Sequence, residues 1–277
     1  MAFFDQDGPR VFAHRGGRAL GPENTLEAFD RGLRAGADGL ELDVRLSADG
    51  HPVVIHDATL DRTTDGTGPV RARTARELAR VDAAARFVPD LPELPGGQGG
   101  PVGPAPLRGA GIGIPTLADV LARFPDRPLI IEMKDNLSEL GEAVARTVRA
   151  AGAADRVCAA GFGPLAARAA RRALPEMAAS AYQAEVRLAL YRSWAAWPVR
   201  RPPYQGYQVP EAVGRLRVVS PRFVRHAHRA GLRVQVWTVD HEDDMVRLLG
   251  WGVDALITDR PDRAARVVGQ ARDKGIR

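Results

Sequence analysis

Four short stretches carry residues whose types and spacing suit chemistry. "AHRGG" (13–17) sets His14 and Arg15 before two glycines. "GLELDVRL" (39–46) holds Glu41 and Asp43 two apart. "VVIHD" (53–57) supplies His56, and "PLIIEMK" (128–134) holds Glu132 and Lys134 two apart. Residues i and i+2 of a strand share a face, so each close pair points one way. Three carboxylates converging from two strands repel one another, and a divalent cation relieves that. An all-oxygen donor set favours Mg2+ or Ca2+ over Zn2+. Two histidines beside such a cation suit general acid and general base roles, because imidazole titrates near neutral pH. Arg15 and Lys134 add positive charge, and the planar guanidinium fits phosphate oxygens. The set describes metal-assisted cleavage of a phosphate ester. Singly, each residue has a plainer reading: a lone histidine is more often structural, and Lys134 could simply neutralise Glu132. The combination is what carries the chemistry.

Those residues need elements to hold them. Short β-like runs alternate with helical patterns along the whole chain. Strands are expected at 10–15, 39–46, 128–134, 156–162, 177–182, 233–239 and 254–259, with one more at either 206–210 or 216–220. Helices are expected at 23–36, where Leu26, Phe29 and Leu33 recur at spacings of three and four, and at 137–152, 164–174 and 241–252. About eight βα units in one chain predict a TIM (β/α)8 barrel. A doubly wound open sheet is the runner-up, but no G-x-G-x-x-G follows the first strand. The charged pairs close predicted strands, which in a barrel puts them at the catalytic rim.

"SADG" (47–50) between apolar runs predicts a β-hairpin after strand 2. Pairing Leu46 with Val53 would set Asp43 opposite His56. Residues 86–115 are dense in Pro and Gly and read as a long loop over the barrel mouth. The expectation is a single domain over 1–277. His51, His226, His228 and His241 lie in turn or helical stretches and read as solvated.

Composition narrows the classes. The net charge is +5, mild for 277 residues, and no Lys/Arg block is interleaved with aromatics. Nucleic acid is not an expected partner. No apolar run approaches 18 residues and the N-terminus lacks a signal-peptide pattern, so no stable membrane insertion is expected. The one cysteine, Cys158, forms no intrachain disulfide, and a cytoplasmic location is the simplest expectation. Only two of the 39 basic residues are lysines, Lys134 and Lys274, so a lysine at the end of a charged strand stands out. The sequence sets no oligomeric state.

The chain resembles the glycerophosphodiester phosphodiesterases. "AHRGG", "PENTLEAF", "GADGLELDVRLSADGHPVVIHD", "LDRTTDGTG", "IPTLADVL", "IIEMK", "VQVWTVD" and "DALITDRP" follow that family's motifs in order, over about residues 10–265. The resemblance implies a TIM barrel that releases glycerol 3-phosphate and an alcohol from a small phosphodiester. It implies His14 and His56 as acid and base, and Glu41, Asp43 and Glu132 as ligands of one divalent cation. It puts Arg15 and Lys134 at the phosphate, and Phe162 and Trp237 in the pocket wall. "AGF" (160–162) keeps the phenylalanine but lacks a serine common there. Two other functions fit less well. One is phospholipase D or sphingomyelinase D-like cleavage of lysolipids at the same site, which needs an apolar groove. The other is a phosphodiester sensor, which would not need two histidines.

Overall fold

The computed structural model describes residues 3–5, 8–90 and 105–273. In chain order the elements are β1 (Arg10–His14), α1 (Leu26–Arg34), β2 (Gly39–Leu46), β3 (Pro52–Val54), α2 (Ala75–Leu78), α3 (Leu117–Arg123), β4 (Leu129–Met133) and α4 (Ser138–Ala150). Then come β5 (Val157–Gly161), α5 (Pro164–Ala173), β6 (Ala178–Ala179), α6 (Gln183–Ala195), β7 (Gly206–Pro210), β8 (Ala212–Val213) and β9 (Leu216–Arg217). The chain ends with α7 (Pro221–Arg229), β10 (Arg233–Trp237), α8 (Glu242–Gly250), β11 (Ala255–Thr258) and α9 (Pro261–Asp273).

Eight strands pair in parallel in the order β6-β5-β4-β2-β1-β11-β10-β7. A bridge between Ser180, just past β6, and Gly206 at the start of β7 brings the two ends together. The result is a (β/α)8 barrel. Of the two candidate stretches for the sixth barrel strand, "GYQVP" forms it; "LR" of the other pairs with β8 in a small hairpin instead.

Alternation along the strands sorts side chains into two layers. Leu40, Leu42 and Val44 face outward into the strand–helix core, as do Leu129, Ile131 and Met133. Phe12, Ile130, Cys158, Ala255 and Ile257 fill the barrel interior, and Phe3 packs onto Phe12 from below. The inward positions that follow Phe12 and Ile130 are His14, Glu132 and then Lys134. The same pleat that builds the core therefore aims the charged residues at the C-terminal rim.

β3 runs antiparallel to β2 with Leu46 opposite Pro52 and Arg45 opposite Val53. This is one residue away from the pairing expected above. Asp43 lies opposite Ile55, whose N–H donates to the Asp43 carbonyl at 3.0 Å, and not opposite His56. Of the Pro/Gly-rich stretch, residues 91–104 lie outside the described residues, and so does its expected place over the mouth. Among the described residues no helix is long and apolar enough to cross a membrane.

α1 begins at Thr25, whose hydroxyl accepts from the Ala28 N–H at 3.2 Å, and it packs close beneath the His14–Gly17 turn. Gly32 makes that approach possible. A Cβ there would stand 2.5 Å from the Gly16 carbonyl oxygen and 2.7 Å from the Ala13 Cβ. Alanine would favour the helix by about 1 kcal/mol, but crowding a backbone carbonyl costs about 1–3 kcal/mol. Gly32→Ala is expected to lower Tm by several degrees, at about 2–4 °C per kcal/mol for a chain of this size. Thermal unfolding followed by circular dichroism reads this directly; an unchanged Tm would mean that α1 can back away.

Candidate active site

The site is a cavity of about 350 Å³ at the C-terminal end of the barrel, and His14, Arg15, Glu41, His56, Glu132 and Lys134 all line it. β1 ends on His14. Arg15, Gly16 and Gly17 then adopt left-handed φ values of 51°, 89° and 83°, a run that glycine makes accessible. The Gly17 N–H donates back to the His14 carbonyl at 2.8 Å, closing the turn. The Arg15 N–H donates to Glu41 Oε2 at 3.0 Å.

Glu41, Asp43 and Glu132 offer carboxylate oxygens within 4.8 Å of one another, and Glu41 and Asp43 are fully buried. Burial, with the Asp43 charge beside it, pushes the Glu41 carboxyl well above the ordinary carboxylate range. Cations ring the cluster. Lys134 Nζ donates to Glu132 Oε1 at 2.6 Å and lies 3.5 Å from Asp43 Oδ1. Arg15 Nη1 donates to Glu23 at 2.9 Å, while its Nε sits 3.1 Å from Asp43 without the alignment of a hydrogen bond. Asn24, itself at a left-handed φ of 60°, grips Asp43 twice. Its Nδ2 donates to Asp43 Oδ2 at 2.8 Å and its Oδ1 accepts from the Asp43 N–H at 3.1 Å.

Both histidines are backed by a carboxylate. His14 Nδ1 meets Asp259 Oδ1 at 2.6 Å, leaving Nε2 toward the cluster, 3.9 Å from Glu41. Arg18 and the Asp259 N–H's bond to Asp240 fix that aspartate in turn. Burial lowers the His14 pKa, but the Asp259 hydrogen bond and the Glu41 and Asp259 charges outweigh it, so the net direction is upward from 6.5. His56 Nδ1 meets Asp57 Oδ1 at 2.6 Å, and Arg45 Nε donates to the His56 carbonyl at 2.9 Å. Arg62 bridges Asp57 and Glu23. A continuous chain of ion pairs therefore runs from His56 through Asp57, Arg62 and Glu23 to Arg15.

Phe162 and Trp237 meet edge to face, with centroids 6.1 Å apart, and both line the cavity. The site residues expected from the sequence thus line one cavity, except Asp43, which is buried behind it beside Glu41 and Glu132. Sequence reasoning did not find Glu23, Asn24, Asp57, Arg62 or Asp259, because these act on other side chains. Asp259 was findable: it follows the last strand, the position used to pick out the others. Of the histidines read as solvated, His228 is exposed and its Nε2 meets Asp254 Oδ2 at 2.8 Å, whereas His226 is half-buried, with its Nε2 buried without a partner.

The fold is that of barrels whose enzymes work at their C-terminal face, and the acidic, two-histidine rim lies at that face. Residues 14–263 match the model of the glycerophosphoryl diester phosphodiesterase family. A glycerophosphodiester phosphodiesterase of Caldanaerobacter subterraneus is 31% identical over 264 residues, covering 93% of this chain and 97% of the relative. Among solved structures, the glycerophosphoryl diester phosphodiesterase domain of a Mycobacterium tuberculosis protein superposes with a TM-score of 0.78 at 27% identity, covering 94% of this chain and 99% of that one. An Oleispira antarctica phosphodiesterase in complex with the product sn-glycerol-3-phosphate gives 0.73 at 25% identity, covering 95% and 97%. The chain belongs to the glycerophosphoryl diester phosphodiesterase family and is a phosphoric diester hydrolase.

Glu23 makes the ion-pair chain measurable. Burial alone would raise its carboxyl; the hydrogen bonds and charges of Arg62 and Arg15 outweigh that and hold it at about 2, below the ordinary 4.5. A depressed folded pKa gives stability that is complete above the unfolded value and lost as pH falls through the folded one. Glu23→Gln is expected to cost about 2 kcal/mol at pH 6, after allowing for the solvent around Arg62. That difference should shrink steadily below pH 4.5. Urea unfolding of both proteins from pH 6 to pH 3 tests it; a constant difference would remove Glu23 from the acid response.

Proposed function

We propose that the enzyme hydrolyses glycerophosphodiesters to glycerol 3-phosphate and an alcohol in a metal-dependent reaction. The observation that carries this reading is the convergence of two carboxylate-backed histidines and three clustered carboxylates on one cavity. The cluster suits a divalent cation on its own chemistry. Its donors are hard oxygens held close together, and burial, with the Asp43 charge beside it, pushes Glu41 toward protonation. Glu41, Asp43 and Glu132 would hold the ion, Mg2+ or Ca2+. When bound, it supplies Lewis-acid polarisation of the phosphoryl oxygen and neutralises developing charge.

The chain's own residues do the rest. Arg15 and Lys134 bind the phosphate oxygens, and Phe162 and Trp237 form the wall beside the ester. Asp259 and Asp57 each occupy Nδ1 of a histidine, so Nε2 is the working nitrogen of both. One histidine takes the proton of the attacking water as its oxygen bonds to phosphorus. The other delivers a proton to the alcohol oxygen as the P–O bond breaks. His14→Ala and His56→Ala are each expected to lower kcat by about two decades or more, the scale of lost general acid–base catalysis. The assay is glycerol 3-phosphate release from a soluble glycerophosphodiester with Mg2+, with Ca2+ and with EDTA. Undiminished release in EDTA would remove the cation from the mechanism, and full activity of His56→Ala would remove that histidine.

Asn24 is proposed to position Asp43. Asn24→Ala should weaken activation by the cation about 10–100-fold, as expected when a group orienting a ligand is lost, with the fold intact by circular dichroism. A titration of activity against metal concentration reads this; an unchanged midpoint would make Asn24 a purely structural residue.

A further inference from the structure

The cavity is divided by polarity. All six charged or titratable side chains that line it come from the ends of β1, β2, β3 and β4. The opposite wall, from β5 round to β10, carries Phe162, Val186, Val209, Val213 and Trp237 together with the neutral polar Ser180, Gln183, Gln208 and Thr238, and no charged residue among the described lining residues. Its outer edge is open to solvent: Val213, in the β8–β9 hairpin, is 61% exposed and Phe162 is 48% exposed, beside the exposed but uncharged Gln183 and Thr238. We infer that the alcohol arm of the phosphodiester leaves the charged half of the site along this wall, and that the preferred alcohol is uncharged and apolar rather than choline or ethanolamine. The inference rests on the diesterase reading above and concerns which diesters that site prefers.

The charges around the wall exclude an ammonium group on three counts. First, the acidic side chains nearest in sequence are already engaged: Asp240 accepts from the Thr258 hydroxyl and from the Asp259 N–H. Glu211 receives two hydrogen bonds from Arg247, at 2.8 and 2.9 Å. Glu185 receives two from Arg171, both at 2.8 Å. Second, the hairpin that bears Val213 brings two arginines, Arg215 and Arg217, and no carboxylate. Third, Phe162 and Trp237 stand at 86° to each other, an arrangement that can face a quaternary ammonium. However, Lys134 Nζ already lies 5.7 Å over the Phe162 ring, so a second cation there would meet a like charge. An alkyl arm meets none of these penalties and is drawn out of water against the valines.

The test compares glycerophosphobutanol, glycerophosphocholine and glycerophosphoethanolamine by glycerol 3-phosphate release with the activating cation. The butyl ester is expected to show a kcat/KM about tenfold or more above the other two, the scale on which apolar pockets discriminate. Val213→Glu, at an exposed position that tolerates substitution, should shrink the butyl-to-choline ratio at least about threefold, as an exposed ion pair can. Val213→Leu should keep the ranking. Equal rates on the butyl and choline esters, or a ratio that Val213→Glu leaves unchanged, would overturn the inference. If no diester is cleaved with either cation, the diesterase reading itself fails. The inference is then decided by binding: n-butyl phosphate raising Tm more than phosphocholine at equal concentration supports it, and equal shifts overturn it.

Discussion

Three carboxylates held within 4.8 Å at the barrel rim, two of them fully buried, set the terms for everything around them. Such a cluster is costly to take out of water. The surrounding architecture offsets that cost at every turn. Lys134 and Arg15 bring charge, Asn24 brings hydrogen bonds, and the left-handed run at Arg15–Gly17 exists so that a backbone N–H can reach Glu41. The helix that follows must then pack directly under that run, which explains a glycine in the middle of α1. Local backbone strain, helix sequence and side-chain chemistry are thus one connected set.

The histidines show the same economy of construction from the other side. Each is held by a carboxylate that is itself held by an arginine, Arg18 for Asp259 and Arg62 for Asp57. Arg62 continues to Glu23 and so to Arg15. The two histidines, drawn from different elements, are therefore tied into one electrostatic frame. Placement does not depend on the stiffness of any single loop.

Much of this was legible in the sequence, and the reasons differ element by element. β2 reads off at both ends because Gly39 opens it and "SADG" closes it, with apolar outward positions between. Glu41, Asp43, Glu132 and Lys134 follow from the two-residue period alone. The hairpin register was misplaced by one residue. It is set by backbone geometry in the turn, where Gly50 takes a φ of 79° and the Ser47 N–H donates to the His51 carbonyl, and side-chain pattern does not report that. A one-residue slip ordinarily turns side chains to the wrong face. His56 escapes because it lies two residues past the end of β3, where the alternation no longer governs. β6 was drawn as 177–182 but spans only Ala178–Ala179, since a run of small residues carries little strand signal. Glu23 and Asn24 stay hidden because their partners are distant in a chain that states no pairings; Asp57 stays hidden although its partners His56 and Arg62 are near, because an adjacent acid gives no sign that it backs the imidazole.

The brevity of β6 has a mechanical consequence. Where β4 and β5 share five paired positions, the closure between β6 and β7 rests on one bridge, its flanking backbone bonds, the Gln205 side chain reaching the Ala179 N–H, and the Ser180 hydroxyl, which accepts from the Gln208 N–H and donates to the Gly206 carbonyl. A single backbone bridge leaves side chains to hold the junction. The barrel therefore has a seam closed largely by side chains, and it falls on the side of the uncharged wall. The half of the enzyme that must hold charges to fractions of an ångström is built on the long ladders. The uncharged half is closed by the short one.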